Sequence, residues 1–107
     1  MKIYTGKKPN LGPGDIFIIE DGNKKILDPA PSQKLYNHSP DGFNWGYSGS
    51  GPAQAALGIL LDCVGRKLAL LFYQHFKFEI VAGWGDEFSI SEKEIKDFVN
   101  ALNKDYD

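Results

Sequence analysis

The segment best suited to bind a ligand is GYSGSGP, residues 46–52, which leads into the most apolar stretch of the chain. Glycines let a backbone turn several N–H groups toward one point, and the first N–H groups of a helix have no acceptor within it. With the positive end of the helix dipole, such a segment attracts phosphate or carboxylate groups. It matches neither the Walker loop nor the dinucleotide fingerprint. The alternative is that the glycines only allow a tight entry into a buried helix.

Three aromatic residues, Phe43, Trp45 and Tyr47, alternate just before this helix. In an extended chain they lie on one side, where they either fill the space between sheet and helix or form a stacking surface for a base, a sugar or a peptide. The candidate ligand-binding residues are therefore Trp45, Gly46, Tyr47, Ser48, Gly49, Ser50 and Gly51.

A histidine and an aspartate three residues apart, His38 and Asp41, flank Ser39 upstream of the aromatic residues. They are candidates for a general base and the group that orients it. The alternative is a turn in which Asn37, Ser39 and Asp41 bind their own backbone. With two His, one Cys and no HExxH or CxxC pattern, the sequence predicts no metal site, and it implies no cofactor.

Length and composition indicate one globular domain of 107 residues with 42% hydrophobic and 24% charged residues. The net charge of −2 argues against a protein that coats nucleic acid by charge alone. Residues 1–51 carry six Lys and five acids, whereas 52–107 carry six Lys or Arg and nine acids. We therefore expect any anion site in the first half of the chain.

Several features predict a cytoplasmic location. The single cysteine, Cys63, lies in an apolar stretch and is expected to be a small buried hydrophobe, which fits a reducing compartment. The N-terminal residues MKIYTGKKPN lack the apolar core of a signal peptide. The apolar run 55–61 is too short to span a bilayer, so no membrane association is predicted.

The first third of the chain predicts three short strands. One begins near residue 3, the second spans 15–20, and the third spans 24–27 after a tight turn at Asp21, Gly22 and Asn23. Pro29 and Pro31 end the third strand, because proline cannot donate to a ladder. We predict an α+β fold, in which a small N-terminal antiparallel sheet packs against about three helices.

Those helices follow a long loop over 35–50. Apolar periodicity predicts a buried central helix over 51–64, with Ser50 or Gly51 as its cap. A second helix is predicted over 67–82, although 76–82 also alternates like a strand. After a short extended piece over 87–90, Ser91 and Glu94 form a capping box for a last helix over 91–104.

Five parts of the chain form a recognisable pattern: Tyr4-Thr5-Gly6, Leu27-Asp28-Pro29, the block NHSPDGFNWGYSGSGPAQ over 37–54, Tyr73, and Phe76-Lys77. On these residues the sequence resembles a family of small uncharacterised prokaryotic, phage or plasmid proteins, classed as a domain of unknown function. The resemblance covers nearly the whole chain and implies phage or mobile-element association, but no established activity. One departure is Trp84, because the family pattern places a tryptophan where Phe88 stands.

Three functions are compatible with these observations. We prefer a non-catalytic binding module whose glycine-rich segment accepts an anionic group of a nucleotide, a nucleic acid or a protein partner. One alternative is a small hydrolase or transferase with His38 as general base and the same segment holding an oxyanion or phosphate. The other is a structural or interaction protein, such as a homodimer or a phage accessory factor, whose exposed aromatic residues form the contact surface.

Overall fold

The computed structural model describes residues 1–106 and confirms the predicted α+β fold. A four-stranded antiparallel sheet packs against the helices, and a 3₁₀ turn, Val81–Gly83, precedes the last strand. The elements in chain order are β1 (Lys2–Lys7), β2 (Ile16–Glu20), β3 (Asn23–Ile26), α1 (Ala30–Leu35), α2 (Ser50–Val64), α3 (Arg66–Glu79), β4 (Glu87–Ser91) and α4 (Glu92–Tyr106).

The sheet has the strand order β3-β2-β1-β4, so both ends of the chain contribute to it. The sequence predicted that the first three strands form an N-terminal sheet. It predicted β4 only as a short extended segment, without a pairing partner. In the structure β4 pairs with β1, with Tyr4 opposite Ile90 and Gly6 opposite Phe88. Partners more than 80 residues apart leave no local signal, which is why this pairing was not predicted.

Helix α2 is the centre of the core, as predicted. All ten residues over 51–60 are buried, and α2 packs against α1, α3 and α4. Gly65 ends it with φ 88°, a conformation that favours glycine, and α3 begins at the next residue. Helix α4 starts with the predicted capping box, in which the Glu94 N–H donates to Ser91 Oγ at 3.1 Å and the Ser91 N–H donates to Glu94 Oε1 at 3.1 Å.

Two segments differ from the sequence prediction. Helix α3 extends to Glu79, so the alternation over 76–82 does not mark a strand: Phe76 is fully buried, whereas Phe78 is 62% exposed. Helix α1 was not predicted, because its prolines were interpreted only as the end of β3. Its start carries two ordinary helix signals, a proline in the first turn and Asp28, whose Oδ1 accepts the Ala30 N–H at 2.9 Å.

Within residues 1–106, no helix is both long enough and apolar enough to cross a membrane.

Candidate functional site

The N-terminus of α2 presents backbone donors at the protein surface. The cap residue Gly49 is extended, and no side chain caps the helix. The Ala53 N–H donates to the Gly49 carbonyl, and Pro52 has no N–H to donate. Among the described residues, no acceptor pairs with the N–H groups of Ser50 and Gly51. Neither donor is therefore used within the described chain. Ser50 is exposed, whereas Gly51 lines the pocket next to it but is itself buried.

The donors border a pocket of about 280 Å³ between the loop before α2 and the loop after β1. Pro13 forms one wall, and Asn44 and Phe43 line the side toward the core. The polar side chains that line it include those of Asp41, Tyr47 and Ser50. The pocket thus offers neutral donors together with one carboxylate, that of Asp41. This carboxylate repels a bound anion.

An exposed aromatic ring and a cation lie at the edge of this pocket. Tyr47 is 46% exposed. The Lys8 Nζ lies 5.6 Å from the centroid of the Tyr47 ring, within the range of a cation–π contact. Lys8 forms no ion pair with any residue of the described chain. Its charge is therefore available to a ligand that reaches Tyr47.

Two of the predicted site residues belong to the scaffold. Trp45 is fully buried beneath Gly6 and Gly14, and its Nε1 donates to the Asp86 carbonyl at 3.3 Å. The Gly46 N–H donates to the Val81 carbonyl at 3.1 Å, so this donor is already used. Trp45 cannot offer a stacking surface in this arrangement.

The three alternating rings do not share one side, because the loop is not extended throughout. Gly46 adopts φ 84°, which turns the chain between Trp45 and Tyr47. Phe43 and Trp45 therefore pack in the core, and Tyr47 points out. Ser48 is exposed beside it and Gly49 is half-buried, so the accessible part of the predicted site runs from Tyr47 to Ser50.

His38 lies in a different environment from the pocket. Its Nε2 and the Tyr73 hydroxyl are joined by a hydrogen bond of 2.8 Å, and its ring stacks on Tyr36 with centroids 4.2 Å apart. Burial, followed by the charge of Lys77, lowers the pKa of His38 below its ordinary value. The imidazole is thus held neutral and oriented by its aromatic neighbours.

His38 and Asp41 do not form the base-and-orienter pair that their spacing suggested. The hydrogen bonds of His38 go to Tyr73, Gln54 and the Tyr36 carbonyl, and none joins it to Asp41. Asp41 lines the pocket at the α2 N-terminus, whereas His38 does not. His38, the general base of the hydrolase or transferase alternative, therefore lies outside this pocket.

Gln54 is fully buried in α2, and its structural role was not predicted from the sequence. Its Oε1 accepts the backbone N–H groups of His38 at 2.7 Å and Ser39 at 2.9 Å. Its Nε2 donates to Ser32 Oγ at 3.0 Å and the Tyr36 carbonyl at 3.2 Å. One amide thus fixes the loop over 36–39 against α2. The available signal was a lone polar residue inside a run of apolar helix positions.

Residues 4–101 match the family described as "Family of unknown function (DUF6166)". The chain belongs to this family. The match spans the sheet, the pocket and helix α2, so the geometry above describes a DUF6166 domain over nearly its whole length. No curated protein and no solved structure matches the chain. The description of the family names no activity.

Proposed function

We propose that the protein is a non-catalytic binding module that accepts an anionic group in the pocket at the N-terminus of α2. The observation that carries the proposal is the convergence of two unpaired N–H donors, from the exposed Ser50 and the buried Gly51, with the exposed Tyr47 ring and the unpaired Lys8 ammonium. The anionic group belongs to a nucleotide, a nucleic acid or a protein partner. The proposal also includes the cytoplasmic location and the mobile-element association expected from the sequence.

Each contact makes a modest contribution to affinity. The positive end of the helix dipole contributes about 0.3–1 kcal/mol to a neighbouring anion at an exposed site. Lys8 is partly exposed, and an ionic contact near the surface is worth about 0.2–1 kcal/mol. Asp41 lines the same pocket and repels an anion. The balance of these contributions predicts weak binding of free phosphate and tighter binding of a ligand that also contacts Tyr47.

The position of His38 supports a binding module over the enzyme alternative. A general base must reach the proton that it removes, through direct contact or one water molecule. His38 instead binds Tyr73 and does not line the pocket. A module that only binds needs a donor and the ring, and both Ser50 and Tyr47 are exposed.

The first test is a phosphate titration followed by amide NMR in wild-type protein and in Lys8→Gln. We expect saturable shifts at Ser50 and Gly51 in the wild type, and binding weaker by up to about fivefold in Lys8→Gln. Lys67→Gln is the matched control, because Lys67 is an exposed lysine on α3 outside the pocket. If phosphate binding weakens equally in both variants, the effect comes from the change in net charge. That result would contradict a specific role of Lys8.

Asp41 provides a test in the opposite direction. Removing its carboxylate with Asp41→Asn should strengthen phosphate binding by about two- to fivefold, because a repulsive charge leaves the pocket. Asp21→Asn makes the same change in net charge in the β2–β3 turn, where asparagine tolerates the positive φ of 53°. A similar gain in both variants, or none in Asp41→Asn, would place the bound anion away from this pocket.

A further inference from the structure

The sheet has one face that the helices do not cover. Side chains on the covered face, such as those of Tyr4 and Ile18, are buried in the core. The opposite face, here called the outer face, carries Ile3, Thr5, Lys7, Phe17, Ile19, Lys24 and Ile26, placed together by the strand register. None of these seven is buried, and Ile26 is 53% exposed.

A groove of about 360 Å³ lies at one end of the outer face. Phe17 and Thr5 line its floor, and Lys7, Lys8 and Lys24 line it together with a single carboxylate, that of Asp15. Its volume falls in the range of small-molecule sites. The groove is therefore locally basic, although the whole chain carries a net charge of −2.

Two of these lysines lie over aromatic rings and not beside acids. The Lys24 Nζ lies 4.4 Å from the centroid of the Phe17 ring, and Lys8 lies over Tyr47. Over the described residues, neither lysine forms an ion pair. Lys7 does pair with Glu87 at 3.4 Å, but both side chains are largely exposed, so the pair is weak and exchangeable.

The groove and the pocket at the α2 N-terminus are neighbours. Pro13 lines both of them, and Lys8 lines the groove while its Nζ lies over Tyr47, which lines the pocket. A band of alternating cations and rings thus runs from Lys24 and Phe17, past Lys8 and Tyr47, to the open donors of Ser50 and Gly51.

We infer that this band binds single-stranded nucleic acid, an inference that rests on the proposed function for its α2 end. One base stacks on Phe17 and a second on Tyr47, while the flexible Lys24 and Lys8 side chains move from the rings to the adjoining phosphates. The α2 N-terminus holds a further phosphate. Aromatic rings that alternate with cations are the general means by which proteins hold unpaired strands without reading their sequence.

The same features disfavour a duplex. Bases in a duplex stack on each other, so the partly exposed Phe17 ring and the exposed Tyr47 ring have no base face to contact. Duplex binding without base contacts depends on many phosphate contacts, whereas the groove supplies three lysines against Asp15. Single strands of DNA and RNA share the chemistry that this band recognises.

The test is fluorescence anisotropy with labelled ten-nucleotide dT and rU strands, and a duplex of the same length, on wild-type protein and three variants. Phe17→Leu keeps an apolar side chain on the sheet but removes the ring, and we expect it to weaken single-strand binding at least about fivefold. Lys24→Gln should weaken binding and make the slope of log K against log salt less negative by about 0.7.

Lys25→Gln is the matched control for Lys24→Gln. The two lysines are adjacent on β3, but Lys25 lies opposite the buried Ile18 and so belongs to the other side of the sheet. We expect Lys25→Gln to bind as the wild type does. Equal affinities of Lys24→Gln and Lys25→Gln, or duplex binding as tight as single-strand binding, would overturn the inference. Tighter binding of the dT strand or of the rU strand would show whether the band favours single-stranded DNA or single-stranded RNA.

Amide NMR separates failure of this inference from failure of the proposed function. In one outcome, phosphate changes the amide chemical shifts of Ser50 and Gly51 while no single-stranded nucleic acid binds. That result would overturn the nucleic-acid inference and leave the anion site in place. Strand-induced shifts at Phe17 and Lys24 without shifts at Ser50 and Gly51 would support the groove and contradict the site at α2. Self-association of the protein through the Phe17 face, seen by sedimentation, would overturn the inference in favour of a second copy of this chain.

Discussion

Replacing Gln54 with methionine tests how the loop before the pocket is held in place. Methionine has a similar length and volume but cannot make the four hydrogen bonds of the Gln54 amide. At a net 0.5–1.5 kcal/mol each, their loss lowers the free energy of unfolding by about 2–6 kcal/mol. A chain of this length has a total of about 5–16 kcal/mol, so the effect is large.

The assay is urea denaturation followed by circular dichroism, with hydrogen exchange at the amides of His38 and Ser39. Gln33→Met is the matched control, since Gln33 also binds backbone carbonyls, those of Ser39 at 2.9 Å and Pro40 at 3.3 Å. Gln33 is only partly buried, so water can replace these bonds and the loss should stay below about 1 kcal/mol.

Two results would refute this reasoning about Gln54. One is a free energy of unfolding for Gln54→Met that equals the wild-type value while the amides of His38 and Ser39 keep their protection from exchange. The other is an equal decrease in the free energy of unfolding in Gln54→Met and Gln33→Met. Burial would then have no influence on the energy of these hydrogen bonds.

Three further predictions concern other parts of the scaffold. Gly6→Ala should lower the free energy of unfolding by about 1–3 kcal/mol, because a Cβ there would lie 2.6 Å from the Phe88 ring, whereas Gly85→Ala has no atom within 4 Å and should be neutral in urea denaturation. Tyr4→Phe should cost about 1.5–3 kcal/mol in the same assay, because the hydroxyl donates to a carboxylate on α2 at 2.6 Å. The pKa of His38, followed by NMR, should lie below 6.5, so its contribution to stability is present above pH 6.5 and is lost as the pH falls through the lowered folded-state value.

Each of these has a contrary result. Equal losses in Gly6→Ala and Gly85→Ala would show that the close approach at Gly6 does not limit packing. An unchanged free energy of unfolding in Tyr4→Phe would mean that the hydroxyl binds water equally well in the unfolded chain. A His38 pKa at or above 6.5 would contradict the burial of its ring beside Lys77.

The parts of the fold that the sequence predicted depend on local chemistry. Apolar periodicity located α2, α3 and α4, and the capping box of Ser91 and Glu94 located the start of the last helix. Glycine and proline in the first turn of α2 indicated the helix entry, and with it the donors of the candidate site. Such signals act over three or four residues, so a single sequence carries them in full.

The parts that were missed depend on contacts between distant segments. The pairing of β4 with β1 joins the two ends of the chain, and the hydrogen bonds of Gln54 join α2 to α1 and its loop. For Trp45, alternation predicted a common side with Tyr47, but the positive φ of Gly46 separated the two rings. The groove beside Phe17 was not predicted, because it needs the strand register to bring Lys24 next to that ring.

The measurement that tests the central claim most directly is the set of backbone amides of the wild-type protein that respond to a phosphate titration. We predict that Ser50 and Gly51 show the largest shifts and saturate, and that Tyr47 shifts less but with the same dissociation constant. Shifts confined to lysine-rich segments away from α2, or no saturable shift in a well-dispersed spectrum, would contradict an anion site at the α2 N-terminus.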